Sequence, residues 1–180
     1  MQLARGRGAG SRRSTFGWRY ARRIEIERKY LVAEPPEGLD RWPSTAIEQG
    51  YLAIAGDGTE VRVRRRAGAA TLTVKSGGAS RTRVEEELDI EPERFERLWP
   101  LTEGRRIEKT RYEIDGGDGL TIELDLYAGA LEGLVVAEVE FESEEAADAF
   151  SAPEWLGREV TEDARYKNQR LACEGAPSSD

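Results

Sequence analysis

The chain has no histidine. That excludes histidine acid–base catalysis, Ser–His triads, a phosphohistidine intermediate and histidine-ligated zinc. Its one cysteine, Cys173, cannot form an internal disulfide, so nothing calls for an oxidising compartment. Any metal must then be held by oxygen, which favours Mg²⁺, Mn²⁺ or Ca²⁺. No long apolar run is present, which excludes a signal peptide and a membrane-spanning helix; the expected setting is the cytoplasm, with no membrane partner. Acidic residues are missing from positions 1–23, which instead carry seven arginines. The net charge of −8 therefore splits into +7 for this arm and −15 for the remainder. The Gly- and Ser-rich arm reads as a disordered tail, with a nucleic-acid- or polyphosphate-binding arm as the alternative. Residues 174–180 read as a frayed tail, which leaves 24–173 as one domain.

What the domain does have is alternation. Glu25, Glu27 and Lys29 interleave with Ile24, Ile26 and Arg28; Arg62, Arg64 and Arg66 with Val61, Val63 and Arg65. Glu123 and Asp125 interleave with Ile122, Leu124 and Leu126, and Glu138, Glu140 and Glu142 with Val139 and Phe141. Residues two apart in a strand share a face, so these strands each have an apolar side and a charged side. Alternating segments fall near 24–32, 47–55, 59–66, 70–76, 81–89, 105–114, 120–128 and 134–142, separated by turn residues such as Gly56-Asp57-Gly58 and Ala67-Gly68-Ala69. Short connections favour antiparallel neighbours. Three segments break the pattern and predict helices: Pro92 to Trp99, Ser143 to Phe150 with Ser143 as cap, and Glu162 to Cys173. The expected fold is α+β: a closed eight-stranded antiparallel β-barrel with a polar lumen and helices outside and at its ends. The outer face would be covered by those helices or by a partner, so a monomer or a homodimer is expected.

The charged faces carry the chemistry. Glu25/Glu27, Glu123/Asp125 and Glu138/Glu140 are carboxylate pairs at i, i+2, with Glu85/Glu87 a further candidate. Carboxylates held together repel, and a divalent cation is the simplest cure. Arg62/Arg64, Arg81/Arg83 and Lys109/Arg111, with Lys29 and Lys75 beside them, are basic pairs suited to phosphate oxygens. A single such pair is an ordinary solvated strand face. Several of both signs in one small domain point to a metal–polyanion complex. Few aromatics interleave the basic positions, which favours a compact polyphosphate over a nucleic-acid strand.

The chain also resembles the CYTH proteins, the triphosphate tunnel metalloenzymes, in their short bacterial form. The resemblance rests on Glu25-Ile-Glu27-Arg-Lys29-Tyr-Leu-Val, Gln49-Gly50-Tyr51-Leu52, Val61-Arg62-Val63-Arg64, Leu72-Thr73-Val74-Lys75, Arg83-x-Glu85-x-Glu87 and Glu108-Lys109-Thr110-Arg111-Tyr112. It continues through Glu123/Asp125, Ala137-Glu138-Val139-Glu140, Trp155-Leu-Gly-x-Glu159-Val-Thr161 and Tyr166-x-Asn168, so it spans about 24–173. It implies a tunnel that binds a triphosphate and hydrolyses it with Mg²⁺ or Mn²⁺. On that resemblance Glu25, Glu27 and Glu140 hold one metal, and Asp125 and Glu138 a second near the attacking water. Lys29, Arg62, Arg64, Lys75, Arg83, Lys109 and Arg111 clamp the phosphates. A C-terminal plug helix brings Lys167 to the reacting phosphate, and Glu138 and Lys167 are the catalytic candidates. The expected reaction is release of the terminal phosphate, inorganic tripolyphosphate being the favoured substrate. Thiamine triphosphate hydrolysis, a class IV-type adenylate cyclase and a non-catalytic polyphosphate- or nucleotide-binding module are the alternatives.

Overall fold

The computed structural model describes residues 19–20, 26–76 and 85–178. Nine strands form one antiparallel sheet: β1 (Arg19–Tyr20), β2 (Ile26–Leu31), β3 (Ser44–Ile54), β4 (Glu60–Arg66), β5 (Ala69–Lys75), β6 (Glu85–Ile90), β7 (Arg106–Gly117), β8 (Leu120–Tyr127) and β9 (Val135–Phe141). The order across the sheet is β1-β6-β5-β4-β3-β7-β8-β9-β2. Three helices accompany it: α1 (Pro92–Leu98), α2 (Glu144–Ala149) and α3 (Asn168–Glu174). Among the described residues, no helix is long and apolar enough to cross a membrane.

Local chemistry explains the hairpins. Arg66 faces Ala69 across β4 and β5, which leaves a two-residue loop of Ala67 and Gly68. Both have positive φ, 50° and 82°, the pairing that matches the twist of the flanking strands. Gly50 in β3 serves close approach instead: a Cβ there would lie 2.4 Å from Thr102 Oγ1. Two of the three helices form where the sequence predicts them. Ser143 caps α2 by accepting from Ala146 N, and Pro92 opens α1. The third predicted helix divides into a 3-10 turn at Ala164–Tyr166 and then α3, with Lys167 between them.

The closed eight-stranded barrel differs from the sheet described. No ladder joins β1 to β2, so the sheet is open at these two edges among the described residues. Of the strand expected over 24–32, the described part is Ile26–Leu31. Arg19–Tyr20, from the stretch read as an arm, adds a ninth strand by pairing with Glu87 and Glu86 of β6. The two edges are nevertheless separated by only five residues of chain. Six Cα–Cα steps at up to ~3.6 Å each limit the gap from Tyr20 to Ile26 to about 22 Å, so the sheet must curl back on itself.

The two faces of the sheet divide the residues by type. On the outer face Tyr30, Ile122, Leu124, Ala137, Val139 and Phe141 form a core with Ala147 of α2 and Leu156. Val63 and Ala70 pack against Phe95 of α1 on the same side. Helices therefore do cover the outside. The other face carries the charged residues.

Candidate active site

Register fixes which charged side chains meet. Glu27 lies opposite Glu140 and Lys29 opposite Glu138 across β2 and β9. Glu138 in turn faces Glu123, Arg111 faces Asp125, and Arg62 faces Thr73, which faces Glu87. Alternation then puts Lys29, Glu138, Asp125, Lys109, Arg111, Arg62, Arg64, Arg66, Lys75, Glu85 and Glu87 on one face.

At one end this face turns apolar. Leu31, Tyr51, Ile107, Tyr127 and Val136 continue the same alternation, and they cluster with Val160, Tyr166, Leu171 and Ala172. The C-terminal segment thus stops one end of the face, with Leu171 and Ala172 of α3 as the apolar contacts. Tyr127 donates to Asn168 Oδ1 at 2.8 Å and fastens the start of α3. The plug-helix expectation holds in this sense. Lys167 is exposed at the start of α3 and, among the described residues, makes no ion pair with the face.

Two ion networks fill the face. On the β7–β8–β9–β2 side, Asp125 is fully buried and accepts from Lys109 Nζ at 2.5 Å and from Arg111 Nε at 2.7 Å and Nη2 at 2.6 Å. Arg111 also reaches Glu138 at 2.8 Å and pairs with Glu123. Lys29 Nζ holds the other oxygen of Glu138 at 2.8 Å and lies 3.8 Å from Glu27. On the β4–β5–β6 side, Glu85 takes Lys75 at 2.9 Å and Arg62 at 3.3 Å, and Glu87 takes Arg64 at 3.1 Å. Arg62 Nε and Thr71 Oγ1, both on this face, are buried with no hydrogen-bond partner among the described residues. A buried guanidinium N–H without an acceptor is costly, and an anionic oxygen would satisfy it.

The electrostatics follow from burial and neighbours. Burial would raise the Glu138 pKa, but Lys29, Lys109 and Arg111 outweigh it and hold the carboxyl well below the usual range. Glu123 goes the other way: burial and the charges of Glu138 and Asp125 push it up against the pull of Arg111. Burial lowers Lys109, and Arg111 adds repulsion, which together exceed the attraction of Asp125 and Glu138. Burial also pushes Arg64 down, with Arg62, Arg111 and Arg66 adding to it against Glu87. An excess of positive charge is therefore felt at Arg64.

Two of the sequence-predicted site residues, Glu25 and Arg83, lie outside the described residues. The others share one face, Lys167 excepted. Glu27 and Glu140 fit a hard cation: they stand directly opposite one another and both are exposed. Like charges in facing positions destabilise a ladder, and an oxygen-ligated cation relieves them. Asp125 fits one less well, because its two oxygens are already occupied by Lys109 and Arg111. No grouping of three or more suitable ligating side chains occurs among the described residues. Sequence reasoning missed the Gln49 to Tyr51 bond of 2.9 Å and the Tyr127–Asn168 bond. The parity of Tyr51 with Gln49, and of Tyr127 with Asp125, was the available signal.

Comparison with known proteins agrees with this geometry. The family model described as CYTH domain matches residues 23–171. An inorganic triphosphatase of Nitrosomonas europaea is 50% identical over 149 residues, which cover 82% of this chain and 96% of that protein. An inorganic triphosphatase of Acetivibrio thermocellus is 40% identical over 152 residues, covering 82% of this chain and 92% of its own length. A crystal structure of an inorganic triphosphatase superposes with a TM-score of 0.69 at 48% identity, covering 83% of this chain and 94% of that one. A sheet with one charged face, stopped by a C-terminal helix and matched over nearly its whole length, leaves one assignment: this chain belongs to the CYTH domain family.

Proposed function

We propose that the protein is a divalent-metal-dependent triphosphatase that cleaves the terminal phosphate from inorganic tripolyphosphate. The observation that carries this is the single face on which, among the described residues, seven cationic side chains lie beside paired carboxylates and end at an apolar stop, with Arg62 Nε lacking an acceptor. The names of the two relatives support the substrate.

In this reading the sheet closes into a tunnel, and residues 24–173 are the catalytic unit. The basic stretch 1–23, apart from the Arg19–Tyr20 strand, and the tail after Glu174 take no part in the catalysis. Glu27 and Glu140, with Glu25, would hold Mg²⁺ or Mn²⁺. When bound there, the cation would neutralise phosphate charge and acidify water. Arg62, Arg64, Lys75, Lys109 and Arg111, with Arg83, grip the phosphate oxygens through charge-assisted bonds. Lys29 and Arg111 then exchange a carboxylate partner for a phosphate, which frees Glu138 to orient the water; a second cation at Asp125 and Glu138 would also require Lys109 to leave Asp125. Lys167, exposed at the stopped end, would have to turn inward to meet the phosphate. Water oxygen attacks the terminal phosphorus, the bond to the bridging oxygen breaks, and pyrophosphate leaves while the water proton passes to a carboxylate. Glu123, with its raised pKa, is better suited to accept that proton than Glu138. The single cysteine and the lack of an apolar run suit a cytoplasmic enzyme.

The test is phosphate release. Purified protein with Mg²⁺ or Mn²⁺ should liberate phosphate from tripolyphosphate, and EDTA should stop it. Turnover that persists in EDTA, or cyclic AMP formation from ATP in place of phosphate release, would overturn the proposal.

A further inference from the structure

The end of the charged face away from α3 carries an ion pair that the reading above does not use. Arg66, the last residue of β4, donates from Nη2 to Glu113 Oε1 at 2.5 Å. Glu113 belongs to β7, two strands away across β3. Both side chains are about 40% exposed, so the pair stands at the mouth rather than within the face. Beside it is a cavity of about 250 Å³ lined by Arg64, Arg66, Ala67, Ala69 and Thr71. At ~30 Å³ per water, that is room for a phosphate group with part of its hydration shell. Thr71 brings a buried hydroxyl with no partner among the described residues. Arg64 brings a guanidinium, bound to Glu87, on which three other arginines press.

We propose that Arg66 is a further substrate-binding residue, taking the entering end of the polyphosphate in place of Glu113. This rests on the triphosphatase reading. Glu113 is then a stand-in anion: it neutralises Arg66 in the empty enzyme and competes with the substrate for it. Arg66 is the outermost of the three arginines that share the face along β4, so an incoming phosphate meets it before Arg64 and Arg62. Its position at the mouth makes it a determinant of binding rather than of bond cleavage.

The two partners of a purely structural ion pair should behave alike when either is removed. A substrate contact and its competitor should behave oppositely, and that is the test. Steady-state hydrolysis of tripolyphosphate is measured for the wild type, Arg66→Ala, Arg66→Lys and Glu113→Gln, with thermal melting of each. Arg66→Ala should raise KM about 3- to 10-fold, the range for one partly exposed charge-assisted contact, with kcat within about twofold. Arg66→Lys should restore part of the loss, and Glu113→Gln should lower KM. Equal rises in KM for Arg66→Ala and Glu113→Gln, or an unchanged KM in both, would overturn the inference. A wild-type protein inactive on every triphosphate would refute the triphosphatase reading itself, whereas an active wild type with insensitive Arg66 variants refutes this inference alone.

Discussion

Replacing Arg111 with alanine should cost stability as well as activity, and the structure gives the scale. Arg111 is 12% exposed, gives two bonds to a fully buried Asp125, and serves Glu138 and Glu123 as well. Its removal leaves Asp125 with Lys109 and Glu138 with Lys29, while Glu123 loses its close cation. Breaking a buried ion pair by deleting one partner costs about 3–5 kcal/mol. With a urea slope of ~2 kcal/mol/M, the unfolding midpoint should fall by about 1.5–2.5 M. The loss should depend on pH in a definite sense. Glu123 already has a raised pKa in the fold, and without Arg111 it rises further. A carboxyl raised in the fold destabilises above that folded value and is relieved as pH falls through it. Glu138 has a depressed pKa in the wild type, so its contribution is present above the unfolded value of ~4.3 and is lost as pH falls towards its folded value. Both effects shrink the gap between variant and wild type on acidification. Urea unfolding at pH 7.5 and pH 3.5 checks this, because the Glu138 contribution is lost only below ~4.3. A midpoint shift under ~0.5 M, or a gap that does not change with pH, would refute the network as described.

Two further substitutions probe separate parts of the face. Glu27→Gln keeps the shape of the side chain facing Glu140 but removes one anionic oxygen ligand; turnover should collapse and recover in part at high Mn²⁺ as mass action refills the weakened site, and wild-type turnover at low metal would refute the assignment. Leu171→Ala empties a buried position in the apolar stop, at a cost of about 2–5 kcal/mol; at 2–4 °C per kcal/mol a mid-range loss of ~3 kcal/mol lowers the melting temperature by about 6–12 °C, and a calorimetric shift under ~2 °C would show that α3 does not seal the face.

Alternation made most of this architecture legible. Each expected strand has an observed counterpart; in most a charged residue at every second position leaves the strand only one way to face, while β3 and β5, with one charge each, are marked by the turns that bound them. The same parity grouped Lys29, Arg62, Arg64, Lys109, Arg111, Asp125, Glu138 and Glu140 on one face. Parity says nothing of how far a side chain reaches across neighbouring strands, so the triple attachment of Arg111 and the Arg66–Glu113 pair were invisible. Nor could it separate the exposed Glu27 and Glu140 from the buried, cation-bound Asp125, since burial depends on shape rather than period. Closure is a property of long-range pairing, and the two-residue strand β1 carries too little pattern to be read. The helical run expected from Glu162 to Cys173 is interrupted at Lys167, which has an extended ψ of 135°.

The pairing of β2 with β9 bears on how this protein is made. Ile26–Leu31 leaves the ribosome long before its partner Val135–Phe141, with 103 residues between them. At ~5–20 residues per second, the early strand waits roughly 5–20 seconds for its mate. During that time it is a bare edge able to pair with any passing strand, including the same segment of a neighbouring nascent chain. Its sequence, Ile-Glu-Arg-Lys-Tyr-Leu, sets three consecutive charged residues in its middle, where an aggregating zipper needs apolar ones. The Glu and Lys that serve the charged face in the finished protein also act earlier, as gatekeepers that hold the unpaired strand in solution until synthesis supplies the rest.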